Sequence, residues 1–163
     1  MSLINHRRRS ARWHGASQKV GQSAAPLFLD RIDIQCEITP VPFKDISQAA
    51  PGEPSATIRE RVIAARQIQE QRYKDIKGIH CNAQMTERMI HQYAEPDADS
   101  VEVLRSAMER LSLSARAYSR ILKVARTIAD LDGSEKVQLP HIAEAIGYRQ
   151  LDRGDWAERG MYS

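Results

Sequence analysis

One segment of the 163-residue chain constrains the fold more than any other. Leu113 to Asp130 reads L-S-A-R-A-Y-S-R-I-L-K-V-A-R-T-I-A-D. Tyr118, Ile121, Leu122, Ala125, Ile128 and Ala129 recur at steps of three and four, which predicts an amphipathic helix with one face in a core. Ser114 is a ready N-cap, and Asp132-Gly133 makes a C-terminal stop. Arg116 then falls in the first turn, where the helix dipole disfavours a cation. Such an arginine either points away on its long stem or waits for an anion. The plainer reading of Arg116, Arg120 and Arg126 together is a solvated basic face, and Arg120 and Arg126 read as surface or interface charges.

The rest of the chain is organised around further helices. A long one is expected from about Ser55 to Ile76, carrying Ile58, Val62, Ala65, Ile68 and Tyr73 on one side and mixed charges elsewhere. Thr57 and Glu60 offer an alternative capping box for its start, and Gly78 closes it. Thr86 caps a short helix to Tyr93, with Met85 and Ile90 placed as a hydrophobic staple. Asp99 and Glu102 form the next capping box, opening a helix through Val103, Leu104, Ala107, Met108 and Leu111. Pro140 suits the first turn of a last helix with Ile142, Ala143 and Ile146. Four helices between about 86 and 148 joined by short turns make a compact bundle.

Before the helices, Ile32, Ile34, Cys36 and Ile38 alternate with Asp33, Gln35, Glu37 and Thr39. That period of two predicts a short, half-buried strand, ended by Pro40 and Pro42. A lone strand cannot make a sheet, so it wants partners the chain does not supply. Residues 47–54 have the composition of a linker.

The formal charge of +3 is unevenly spread. Residues 1–29 hold Arg7, Arg8, Arg9, Arg12 and Lys19 with no acid, whereas the remainder has nineteen basic against twenty-one acidic residues. A basic arm with Trp13 suits nucleic acid; being rich in arginine and free of acid, it also suits an organelle leader. Its lack of periodicity reads most simply as an unstructured end. The segment after Leu151 is rich in glycine and charge, and is expected to fray. Cys36 and Cys81 imply no disulfide framework, so a reduced, cytoplasmic setting is expected. His80-Cys81 lacks a second ligand pair for zinc, no metal site is expected, and no apolar run approaches a membrane span.

Several of these stretches carry a family resemblance. S-x-R-x-x-x-R-I-L-K-V-A-R-T-I-A-D-L, followed by G-S and V-x-x-x-H-I-A-E-A-I, resembles the C-terminal helical domain of magnesium-chelatase-like AAA+ ATPases, in particular their bacterial ComM-type branch. L-F-L-D-R-I-D-I at 27–34, E-I-T-P-V-P-F at 37–43 and S-A-T-I-R-E-R-V-I-A-A-R at 55–66 match in the same order, so the resemblance covers residues 27–153. It implies a mainly α fold: a lid-type four-helix bundle over 79–151, preceded by a long insert-like helix over 55–78. Residues 30–54 would be the last strand of an α/β core with its linker, flanked by a basic leader at 1–29 and a flexible tail at 152–163. Where family members read I-S-G-P before L-L-D-R-I-D, this chain has Gln22-Ser23-Ala24-Ala25-Pro26.

The resemblance also implies roles. Arg116 resembles the sensor-2 arginine, which reaches the γ-phosphate of ATP in its own subunit. Arg31 resembles the arginine finger, which projects into a neighbour's site; unaided, it reads as a surface partner of Asp30 or Asp33. ATP and Mg²⁺ would be the cofactors of a parent ATPase working as a homo-oligomeric ring. Its partners would be a P-loop core, neighbouring subunits and DNA, but no membrane. ComM-type relatives migrate DNA branches, and chelatases insert metal into a porphyrin. The chain itself holds no G-K-S or G-K-T, so it lacks the phosphate cradle. Leu27-Phe28-Leu29-Asp30 has the apolar run of a magnesium-binding strand, but Arg31 follows where an acid is wanted. On this reading the chain alone is not catalytic and binds neither ATP nor Mg²⁺. The alternative is a non-catalytic helical module whose basic arm contacts nucleic acid.

Overall fold

The computed structural model describes residues 31–36, 38, 40–47 and 50–149. The basic leader, Asp30, Glu37, Thr39 and the tail after 149 lie outside the described residues, and so do the expectations that rest on them. Six α-helices occur among the described residues: α1 (Phe43–Ser47), α2 (Ser55–Tyr73), α3 (Glu87–Tyr93), α4 (Ala98–Leu111), α5 (Ala115–Leu131) and α6 (Leu139–Gly147). A single 3-10 turn, Asn82–Gln84, lies between α2 and α3.

Helix α5 is the spine. Its stripe Ala117, Ile121, Leu122, Ala125 and Ala129 is buried. There it shares one core with Tyr73, Met85, Ile90, Leu104, Leu111, Val137, Ile142 and Ile146, drawn from α2, α3, α4, α6 and the connecting loops. Tyr118 and Ile128 pack at the margin of that core. The ends follow the chemistry of the sequence. Ser114 accepts a hydrogen bond from the Ala117 amide, and Gly133 takes a left-handed φ of 70° just past the C-cap. Met85 and Ile90 both lie in the core on either side of the Thr86 cap, as a staple requires.

Helix α4 opens two residues earlier than its pattern suggests. Asp97, directly after Pro96, accepts from the Ser100 amide at 2.8 Å. Asp99 thereby falls inside the first turn, and Glu102 turns to Arg105 (2.6 Å). Ser112 ends the helix at φ 52°, and the Leu113 amide bonds back to the Met108 carbonyl (3.0 Å). At α6 the Gln138 side chain and His141 close a reciprocal capping box, with the Gln138 amide donating to His141 Nδ1 (3.0 Å).

Three expectations need correction. Helix α2 starts at Ser55, after Pro54, without a Thr57–Glu60 box, and it ends at Tyr73, three residues short of Ile76. Its predicted apolar face is buried only in its second half. Ala65, Gln69 and Tyr73 are inside, while Ile58, Val62, Ile63 and Ile68 stay exposed. The alternating segment after Arg31 is not a strand. No strand occurs among the described residues, Ile34 and Cys36 face solvent, and Gln35 is buried instead. Without a neighbouring strand there is no ladder to fix the alternation, so Arg120 of α5 and the residues just past α6 take over its backbone groups. The residues just before the expected linker wind into α1, a short helix with no buried residue.

Candidate functional site

A cleft of about 630 Å³ opens at the N-terminal end of α5, lined by Asp33, Ala83, Glu87, Ala115, Arg116, Tyr118, Ser119, Arg120 and Lys123. Arg116, Arg120 and Lys123 come to one side of α5 because steps of four and three return to the same helix face. Arg116 is exposed. Arg120 donates through Nη1 to the Arg31 carbonyl (2.8 Å) and to the Asp33 carboxylate. Lys123 Nζ donates to the Ala83 carbonyl (3.0 Å), and Ser119 donates to Glu87 (2.9 Å).

The two arginines singled out in the sequence are therefore brought to one region. Arg31 is exposed, and its own carbonyl is held by the guanidinium one turn beyond Arg116 on α5. Asp33, which the sequence offered as an ion-pair partner for Arg31, pairs with Arg120. The donor set of the cleft is cationic, and its two carboxylates are engaged by Arg120 and Ser119. That suits the anionic end of a nucleotide. Among the described residues no group of three or more His, Cys, Asp or Glu gathers where a metal ion could be held.

A second polar assembly occupies the other end of α5. Arg126, read from the sequence as a surface charge, is only 1% exposed. It donates through Nε to Asp130 (3.1 Å) and through Nη1 and Nη2 to the carbonyls of Glu135 (2.8 Å) and Ser134 (2.6 Å). Arg72, from the end of α2, grips the same carboxylate with both Nη atoms, one of them at 2.8 Å. Asn82 adds a donor to Asp130 (2.7 Å) and accepts from the Tyr73 hydroxyl (2.7 Å).

The environment decides how each group titrates. Burial alone would raise the Asp130 carboxyl. Hydrogen bonds from Arg72 and Asn82 and the charge of Arg126 outweigh it and hold the group below its ordinary range. Burial lowers Arg126, partly offset by Asp130, whereas the hydrogen bond to Asp130 raises Arg72. This network is a clamp joining α2 to α5. A buried carboxylate between two guanidiniums is costly to desolvate and stands only because all three are satisfied. The sequence held one signal for it: Arg126 and Asp130 are four residues apart, on the edge of the apolar stripe.

A mainly helical domain with an arginine-lined cleft at the head of its central helix is the class the fold defines. The family described as magnesium chelatase, subunit ChlI, C-terminal, matches residues 52–149, and the chain belongs to that family. It is 42% identical over 127 residues to the protein YifB of Salmonella typhimurium, covering 77% of this chain and 24% of that protein. It is 40% identical, over the same shares, to the competence protein ComM of Haemophilus influenzae. YifB of Escherichia coli gives the same figures as ComM. The chain thus spans about a quarter of the length of these curated relatives. No helix among the described residues is long and apolar enough to cross a membrane.

Proposed function

We propose that this chain is the lid part of a ComM-type, magnesium-chelatase-like AAA+ ATPase. In this reading Arg116 meets the γ-phosphate of ATP, and Arg31 serves as the arginine finger in an assembled ring. Phosphoryl transfer spreads negative charge over the transferred group, and catalysis is mostly positioning plus countercharge. Guanidinium suits that task because it is planar, permanently charged and able to bind two oxygens at once. The observation that carries the reading is the placement of Arg116. It stands exposed in the first turn of the best-packed helix, against the dipole preference, beside a cleft whose donors are cationic.

The P-loop core, the Mg²⁺ ligands and neighbouring subunits complete the site. ATP supplies the group transferred, and DNA remodelling is the work proposed for the whole assembly. Titration calorimetry of this chain with Mg-ATP should give no saturable heat near micromolar concentration, because a lid arginine without a cradle binds weakly. When a separately expressed P-loop core of the family is supplied, turnover should return and should depend on Arg116. Turnover that is indifferent to Arg116→Ala would sink the proposal, as would tight magnesium-dependent binding by the chain alone.

A further inference from the structure

Residues 31–36 form neither helix nor strand, yet groups from the far end of the chain hold their backbone at three places. Arg120 donates to the Arg31 carbonyl and to Asp33. Arg149 donates to the Ile32 carbonyl, and the Gln35 amide donates to the Tyr148 carbonyl at 3.0 Å. Two of these ties come from the residues just past α6, Tyr148 and Arg149, well away from Arg116 in sequence. The third comes from α5 itself, one turn beyond Arg116 on the same face.

We propose that Arg120 is a positioning residue: it fixes the Arg31 segment to α5, so that Arg31, turned to a neighbour's phosphate, and Arg116, turned to that of its own subunit, are held at one fixed separation. The proposal rests on the reading of both as phosphate partners. Arg120 is itself in the cleft, but its Nη1 is committed to a carbonyl and a carboxylate, which is the geometry of a brace. A guanidinium can serve both acceptors from one planar head, whereas a lysine is a flexible point charge. Asp33 also offsets a positive charge that would otherwise repel Arg116 at the i+4 position. A segment with no ladder and no helix of its own gains a fixed place from this brace.

Spin labels at residues 31 and 116 test the coupling in the full chain. Arg31→Cys and Arg116→Cys are introduced on a Cys36→Ser, Cys81→Ser background. Replacing the Arg31 side chain is harmless to the brace, because Arg120 holds its carbonyl. The inter-label distance distribution should be narrow and single-peaked. Arg120→Ala should broaden it, Asp33→Ala should broaden it less, and Arg120→Lys should restore part of the sharpness, all with the thermal midpoint of the helices unchanged. If Arg120→Ala lowers that midpoint, Asp33→Ala decides, since it leaves α5 untouched. A distribution that stays narrow in both variants overturns the proposal.

A second arm separates this from the phosphate reading. Millimolar inorganic tripolyphosphate should shift the guanidinium Nε–H resonances of both Arg31 and Arg116 in the unlabelled chain, and Arg120→Ala should abolish the Arg31 shift alone. If neither resonance moves while the distances broaden as expected, the brace stands and the phosphate role falls. If both move equally in Arg120→Ala, the brace falls.

Discussion

At the scale of the residue, Asp130 carries the largest single stake. Removing one partner of a buried ion pair leaves the others desolvated without countercharge, which costs about 3–5 kcal/mol. Asp130→Asn should therefore lower stability by about that much in chemical denaturation, since Arg72 and Arg126 would face an amide. Because the carboxyl is depressed in the folded state, its contribution is fully present above the unfolded value of about 3.9 and is lost as pH falls through the folded value. The thermal midpoint should accordingly drop below about pH 4, and that part of the acid slope should vanish in Asp130→Asn. An identical slope in both proteins would show that the carboxylate is not what the acid titrates. Arg116 stands at the opposite extreme. It is exposed, and Arg116→Ala should change stability by less than about 0.5 kcal/mol. Unfolding by that substitution would make the residue structural and remove it from the cleft's chemistry.

At the scale of the element, caps and turns explain where the sequence could be read and where it could not. Ser114, Gly133, Pro140 and the Met85–Ile90 staple act through atoms within a few residues of themselves, so their patterns hold in the structure. Asp97 was missed because two acids compete for one cap; the extended backbone of Asp97 (ψ 172°) lets its carboxylate take the Ser100 amide. The alternating segment at 32–38 misled for a different reason: a strand is defined by its neighbour, and none is present among the described residues. Arg126 misled because charge was read as exposure, while its partners are Asp130 one turn on and two carbonyls in the loop after Gly133. Local chemistry also leaves room for improvement at the end of α4. Ser112 sits at φ 52°, where a Cβ is strained by about 1 kcal/mol or more. Ser112→Gly should relieve part of that strain and raise the denaturation midpoint, offset by glycine's larger unfolded-state entropy. A lower midpoint would mean that the serine makes a compensating contact.

At the scale of the whole molecule, stability is unevenly shared along the chain. Hydrogen exchange should be slowest in α5, whose amides lie behind the common core. Within α2, amides of residues 56–64 should exchange faster than those of 65–73, because the buried residues of that helix are confined to its second half. Uniform protection along α2 would show that its first half is covered as well. The exposed half is not polar: Ile58 and Val62 face Ile128, Leu131 and Pro140 across an open groove of about 500 Å³. The family was legible from motifs on α5 and α6, but the uneven seating of α2 was not, because its apolar residues follow the helical period along its whole length. That seating has a mechanical consequence. Helix α2 is a rod of about 28 Å at 1.5 Å per residue, gripped near one end by Arg72 and Asp130. A rod held in this way is a lever with its fulcrum at a salt bridge. Tilting it by about 10° swings the free tip by about 5 Å at that length, while the clamped end scarcely shifts, so a small rocking at the pivot becomes a stroke at Ser55.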